Sequence, residues 1–172
     1  MTRDELAALI RQYSKPLIRY ANSILKDVET AKEVVQECFL KVFAYQTNEI
    51  RIPGWLYREV RNRSIDIWRH RRKINTLEPE TEENLISGHP NPLEGLEVRQ
   101  DLEVVVKHVR TLSARDQEVL RLKYGEGLSY EQIGEALGLT ATNVGYILCQ
   151  AIKHLRESAV VPGEGTAKKY GE

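Results

Sequence analysis

The 172-residue chain has two cysteines, one methionine, only 7% aromatic residues and a formal net charge of zero. Cys38 and Cys149 are too few for a disulfide framework, and neither lies in a CxxC or Cys/His cluster with metal-ligand spacing. The reading is two structural thiols in a reducing compartment, with no metal site. No apolar run approaches the roughly 20 residues that a membrane-spanning helix needs, and the segment after Met1 lacks the apolar core of a signal peptide, so a cytoplasmic address without membrane insertion is expected. The four histidines His70, His89, His108 and His154 are scattered, with no HExxH spacing and no glycine-rich phosphate loop in the chain. Neither a catalytic constellation nor a cofactor is expected, so the protein reads as a non-enzyme.

The absence of net charge at first argues against a nucleic-acid partner, because such proteins carry cations that displace counterions. The 25 basic and 25 acidic residues are, however, unevenly placed. Residues 1–73 hold 15 bases against 9 acids, residues 74–101 hold 1 against 7, and residues 102–172 hold 9 of each. Zero is therefore a cancellation of +6 by −6, and fields act locally because salt screens beyond about 8–10 Å.

The acidic stretch also contains Pro79, Gly88, Pro90, Asn91, Pro92 and Gly95, which mark it as a flexible linker. An all-α fold of two small helical domains follows, with 1–73 and 95–159 as domains, 74–94 as the linker and 160–172 as a disordered tail. Thr2 to Glu5 reads as a capping box before a stripe from Leu6 to Leu25, which Pro16 should kink or interrupt. Asp27 caps a second helix with Ala31, Val34, Val35, Cys38, Phe39 and Val42 inward. A third starts near Pro53 and runs to about Arg72. In the second domain, helices are expected over about Leu93 to Arg110, from Ser113 to the Gly125/Gly127 pair, from Ser129 to Leu137, and from Ala141 to about Glu157. The last two, joined at Gly138, have the form of a helix-turn-helix.

Two surfaces carry chemistry. Between Arg51 and Lys73, eight bases face only Glu59 and Asp66, with Trp55, Tyr57 and Trp68 interleaved. Stacking contributes about 1–3 kcal/mol per base, and a cationic track holds the phosphates of an unpaired strand. Leu56, Val60 and Trp68 fit a core stripe, so Trp55, Tyr57 and the arginines carry this reading against that of a solvated arginine face. On the last helix, Val144, Leu148, Ala151 and Leu155 turn inward, leaving Thr142, Asn143, Tyr146, Cys149, Gln150 and Lys153 exposed, with Ile147 and Ile152 on the edge of a wide core face. Gln or Asn can pair bidentately with adenine, but Lys153 is nearly the only cation there.

The run Val28 to Phe43, with Val-Val-Gln-Glu and Phe39, resembles region 2.1–2.2 of extracytoplasmic-function (ECF) sigma factors of the sigma-70 family. Trp55 to Arg72 resembles regions 2.3–2.4. Leu112 to Leu120 and Gly127 to Leu139 resemble region 4. The resemblance implies a subunit that binds core RNA polymerase and promoter DNA, with an anti-sigma factor as a partner. It places Glu33, Gln36, Glu37 and Phe39 on core polymerase, although Phe39 equally suits the core. It places Gln46, Thr47, Asn48, Trp55, Arg58, Arg61, Asn62, Arg69, Arg71 and Arg72 on the minus-10 element. Ser129, Tyr130, Asn143, Tyr146, Cys149, Gln150 and Lys153 fall on the minus-35 element. The recognition helix departs from the family in carrying Gly145, Ile147, Gln150 and Ile152 where Lys or Arg is frequent, which implies weak minus-35 binding outside polymerase. A stand-alone helix-turn-helix regulator is the alternative, but such a protein needs neither the arginine track nor the Glu33–Glu37 segment.

The −6 of the linker opposite the +6 of the first domain suggests shielding of the basic surface. Neutralising Glu78, Glu80, Glu82 and Glu83 together is expected to raise single-strand affinity at low salt, and an unchanged dissociation constant would refute shielding.

Overall fold

The computed structural model describes residues 2–45, 52–75 and 107–160, and every described element is helical. Three helices form the N-terminal part: α1 (Arg3–Leu25), α2 (Val28–Tyr45) and α3 (Ile52–Asn75). The C-terminal part contains α4 (Ala114–Leu120), a π-helical turn (Arg121–Gly125), α5 (Tyr130–Leu137) and α6 (Ala141–Val160). The expected linker and tail lie outside the described residues, as does the expected helix from Leu93 up to residue 106.

Local chemistry fixes the ends of the helices. Thr2 and Glu5 make the reciprocal capping-box bonds at 3.2 and 2.7 Å, and α1 stops where Lys26 turns left-handed at φ 55°. Pro16 does not interrupt this helix; α1 is continuous through it. Proline removes the bond to the carbonyl of residue 12, but Gln12 is exposed, where water can take that bond. Burial of Leu17, Tyr20, Ala21 and Ile24 beyond it outweighs the lost bond. At the start of α2, Asp27 accepts from the backbone N–H groups of Glu29 and Thr30 at 3.1 and 3.2 Å and from the Thr30 hydroxyl at 2.6 Å. Arg71 donates to the same carboxylate from α3 at 3.1 Å.

The helix-turn-helix turn is sterically tight. Ser129 and Gln132 form the capping box of α5, which ends at Gly138 with φ 68°. The Leu139 N–H then donates to the Gly134 carbonyl at 2.7 Å. A Cβ at Gly134 would come within 2.5 Å of the Leu139 carbonyl oxygen, so only glycine lets α5 and the turn into α6 approach this closely.

The sequence left the placement of the two parts open; in the structure they share one core. Tyr20, Ala21 and Ile24 of α1, Val34, Val35 and Cys38 of α2, and Leu56, Tyr57 and Val60 of α3 are continuous with Val119, Leu122, Ile133, Val144 and Leu148 of the C-terminal part. α3 lies along α5, and α1 faces α4 and the π turn.

The bonds to Asp27 hold its carboxyl down to about 2 from an ordinary 3.8; the Thr30 hydroxyl contributes most, followed by the Thr30 N–H. A depressed carboxylate stabilises the fold above its unfolded pKa and loses that contribution as pH falls through the folded one. Asp27→Asn keeps a cap but not the charge. The gap in unfolding free energy between wild type and this variant should stay level above about pH 5 and close between about pH 4 and pH 2 in urea titrations.

Candidate nucleic-acid interface

Helical spacing sorts the residues of α3. Arg58, Asn62 and Arg69 fall within about 40° of arc on an ideal helix, and all three are exposed. Half-buried Trp55 lies next to this line, packed against the core. Arg72 stacks on Trp68, with its guanidinium carbon 4.6 Å from the ring centroid. Arg71 points to the opposite side, where it ties α3 to Asp27 and to the Thr30 hydroxyl, the latter at 2.6 Å. Arg58, Asn62 and Arg69 therefore form one exposed line with Trp55 beside it, while Arg71, itself exposed, closes the corner between α2 and α3.

Two expected contacts change character. Tyr57, read as a base platform, is 1% exposed. It meets Tyr20 edge to face at 5.3 Å between centroids, and its hydroxyl donates to Glu126 at 3.1 Å. Arg61 is turned to the C-terminal part, where its Nε donates to Glu118 Oε1 at 3.1 Å. Gln46, Thr47 and Asn48 lie outside the described residues.

On α2, Glu33, Gln36 and Glu37 are exposed, whereas Phe39 is 6% exposed and belongs to the core. Glu37 pairs with Arg63 at 3.1 Å, and Lys41 with Glu59 at 3.0 Å, so α2 and α3 are cross-tied beside this polar face. Leu40 and Phe43 add exposed apolar surface to it.

On α6, Asn143, Tyr146, Cys149, Gln150 and Lys153 are all exposed. The backbone N–H of Asn143 donates to the Thr140 hydroxyl at 3.1 Å, capping the helix where it would enter a groove. Ile147 packs on the core and Ile152 is half-buried, which fits a wide core face. Tyr130 lies under the Lys123 ammonium, 5.0 Å from its ring centroid. A Cβ on Gly145 would touch that ring at 3.4 Å, so Tyr130 sits against the first turns of α6. Ser129 lines a shallow cleft with Pro53 of α3, Glu131 and Gln132.

Sequence reasoning missed the polar seam between the two parts. Glu118 of α4 is 5% exposed; it accepts from the Tyr20 hydroxyl at 2.6 Å and from Arg61. Glu126 accepts from Tyr57 and from Arg19, the latter at 3.2 Å. Arg121 donates to the Ser23 hydroxyl at 2.6 Å, with its guanidinium carbon 5.1 Å from the centre of the Tyr20 ring. Burial, followed by the nearby Glu118 charge, holds the Tyr20 hydroxyl well above its usual range. Burial likewise raises Tyr57, and it lowers the Arg121 guanidinium. At neutral pH the two tyrosines are neutral donors to carboxylates. Gly54 closes the seam at the start of α3, because a Cβ there would stand 2.7 Å from Glu135 Oε2 and 2.9 Å from the Gln132 carbonyl oxygen. One signal was present: Glu118 stands next to Val119 and four residues before Leu122, at the edge of the apolar stripe of this segment.

A three-helix unit with a cationic third helix, followed by a helix-turn-helix, defines a class of transcription protein, and comparison with known families agrees. Residues 9–74 match the family described as Sigma-70 region 2, and residues 103–155 match Sigma-70, region 4. The chain is 30% identical over 159 residues to the ECF RNA polymerase sigma factor SigL of Mycobacterium tuberculosis, covering 88% of this chain and 86% of that protein. It is 28% identical over 160 residues to the RNA polymerase sigma factor YlaC of Bacillus subtilis, covering 91% and 92%. In fold it resembles the sigma factor RpoE of Bartonella quintana, solved with the anti-sigma factor NepR, at 22% identity and a TM-score of 0.59 over 93% of this chain and 99% of that one. The chain belongs to the ECF sigma factors of the sigma-70 family.

The two thiols differ in a way that can be read directly. Cys38 is buried beside the Leu56 carbonyl, with its pKa pushed up to about 12, mainly by burial, while Cys149 is exposed on α6. A maleimide at pH 7 should therefore label the folded chain once, at Cys149, as mapped by peptide mass spectrometry. Two labels without denaturant would contradict the packing of Cys38.

Proposed function

We propose that this chain directs core RNA polymerase to promoters and helps to open them. The observation that carries the reading is the occurrence in one chain of the region 2 match, with its exposed Arg58, Asn62 and Arg69 line, and the region 4 match, with its capped helix-turn-helix. Neither would be needed together by a stand-alone regulator. On this reading the polar face of Glu33, Gln36 and Glu37 docks on core polymerase. Trp55, Arg58, Arg61, Asn62, Arg69 and Arg72 hold the melted minus-10 strand, with Gln46, Thr47 and Asn48 capturing a flipped base, and Arg71 braces α3 from behind. Flipping costs a few kcal/mol, which a stacking and hydrogen-bonding pocket offsets. Tyr146 and Gln150, with Asn143, Cys149 and Lys153, read minus-35 DNA, and Ser129 and Tyr130 position that helix. Phe39 supports the docking face from within the core.

The chain works by binding, without a catalytic residue, metal or cofactor of its own, and it does so in the cytoplasm. An anti-sigma factor as regulator is the natural extension, by analogy with the Bartonella protein. The low charge of α6 means that minus-35 affinity comes largely from tethering to polymerase, since each phosphate contact forgone reduces the salt slope by about 0.9.

The test is to add the purified chain to core polymerase and map transcript starts on a genomic library. Discrete starts with a shared upstream sequence are expected. Glu37→Lys places a cation beside Arg63 and should reduce both core binding and transcript yield by about tenfold or more, equivalent to about 1.4 kcal/mol. Tight duplex binding without polymerase, and no new starts with it, would favour the regulator.

A further inference from the structure

The twelve residues of α6 from Ala141 to Ile152 include no Asp, Glu, Lys or Arg. They make slightly more than three turns, about 18 Å of helix at 1.5 Å per residue. One side of this stretch belongs to the core, where Val144, Leu148 and Ala151 are buried. On the opposite side Thr142, Asn143, Tyr146, Cys149 and Gln150 are exposed, and they fall within about 120° of arc at 100° per residue. The first cation of the helix, Lys153, comes after the stretch and lies 3.9 Å from Glu157.

The amides of this face are not used by the fold. Elsewhere in the C-terminal part they are: Gln117 donates to the Leu112 carbonyl at 2.8 Å, and Gln132 accepts from the Ser129 N–H at 2.8 Å. The side-chain amides of Asn143 and Gln150 have no hydrogen bond among the described residues. Their placement is nonetheless firm. The Thr140 hydroxyl caps the first turn of α6 through the Asn143 N–H, and the Tyr130 ring, beneath the Lys123 ammonium, lies against Gly145 in the second.

We infer, on the function proposed above, that this face reads A·T pairs, so that the minus-35 element of this chain is specified by adenine and thymine rather than by guanine and cytosine. In the major groove, guanine offers O6 and N7, which Arg or Lys takes bidentately, and cytosine offers an N4 donor, which Asp or Glu accepts. The uncharged stretch holds none of these four residue types. What it does hold suits the other pair. An amide donates to adenine N7 and accepts from N6, a role for Gln150 and Asn143, while the thymine methyl packs on apolar surface of the kind that Thr142, Tyr146 and Cys149 present. Base edges are contacted by the N-terminal residues of a recognition helix, and these are the uncharged ones.

The test is transcription by core polymerase carrying the full chain, on a promoter library randomised in the minus-35 region, with starts and template sequences read together. Productive templates should be enriched in A·T pairs at the contacted positions, and exchange of one such pair for G·C should lower the yield about tenfold, as loss of a bidentate base contact does. Gln150→Ala should flatten the preference at one adenine and leave the other positions as they are. Gln150→Arg should turn that same preference to guanine. The Gln150 side chain is exposed, so neither exchange disturbs the core, and circular dichroism verifies that both variants keep their helices. Enrichment of G·C pairs by the wild type, no preference in the minus-35 region, or a preference that neither Gln150 variant alters would overturn A·T readout and leave initiation by the chain standing. Absence of discrete starts from every template, with wild type and variants alike, would remove the proposed function itself.

Discussion

The placement of the C-terminal helices on the N-terminal ones turns on one buried carboxylate. Glu118 reaches from α4 into the N-terminal bundle and is satisfied there by a tyrosine hydroxyl on α1 and a guanidinium on α3. A buried charge tolerates no loose geometry, because leaving it with one partner fewer costs about 3–5 kcal/mol. The contact therefore sets the register of α4 on α1 and α3, more than it adds net stability. Around it, Tyr20, Tyr57, Val119 and Leu122 supply the apolar burial that makes two small helical units one body.

The same seam explains which parts of the fold were legible. Capping boxes at Thr2 and Ser129, the Asp27 cap and the apolar stripes of α2 and α6 are local statements, written within a few residues, and the structure repeats them. Pro16 does not interrupt α1 because its cost is local, whereas what overrides it, the burial of Leu17 and Tyr20 against other helices, is not. Tyr57 was read as a base platform because sequence shows an aromatic among arginines. Only the approach of Glu126 and Tyr20 shows that the hydroxyl has an internal partner and the ring an internal neighbour.

The candidate site divides in the same way. That α6 would expose Asn143, Tyr146, Cys149, Gln150 and Lys153 followed from a 3.6-residue period, and these residues are exposed. That Arg71 faces Asp27 rather than the track also follows from the period once the opposite side of α3 is known to be occupied. The engagement of Arg61 by Glu118 joins residues 57 positions apart and no periodicity within one helix contains it. The family match assigns regions to stretches of chain. The ion pairs across the seam are particular to how those stretches meet here.

Gly54 gives this arrangement a set point. Its missing side chain is what lets the first turn of α3 lie against Glu135 and the Gln132 carbonyl. One added methyl would push the two parts away from each other without altering any charge, the exposed line on α3 or the polar face of α2. The chemistry of the exposed faces and the spacing of the two parts are thus encoded at separate positions. A lineage could change how closely the two parts sit by exchanging a single small residue, while keeping every exposed side chain of α2, α3 and α6.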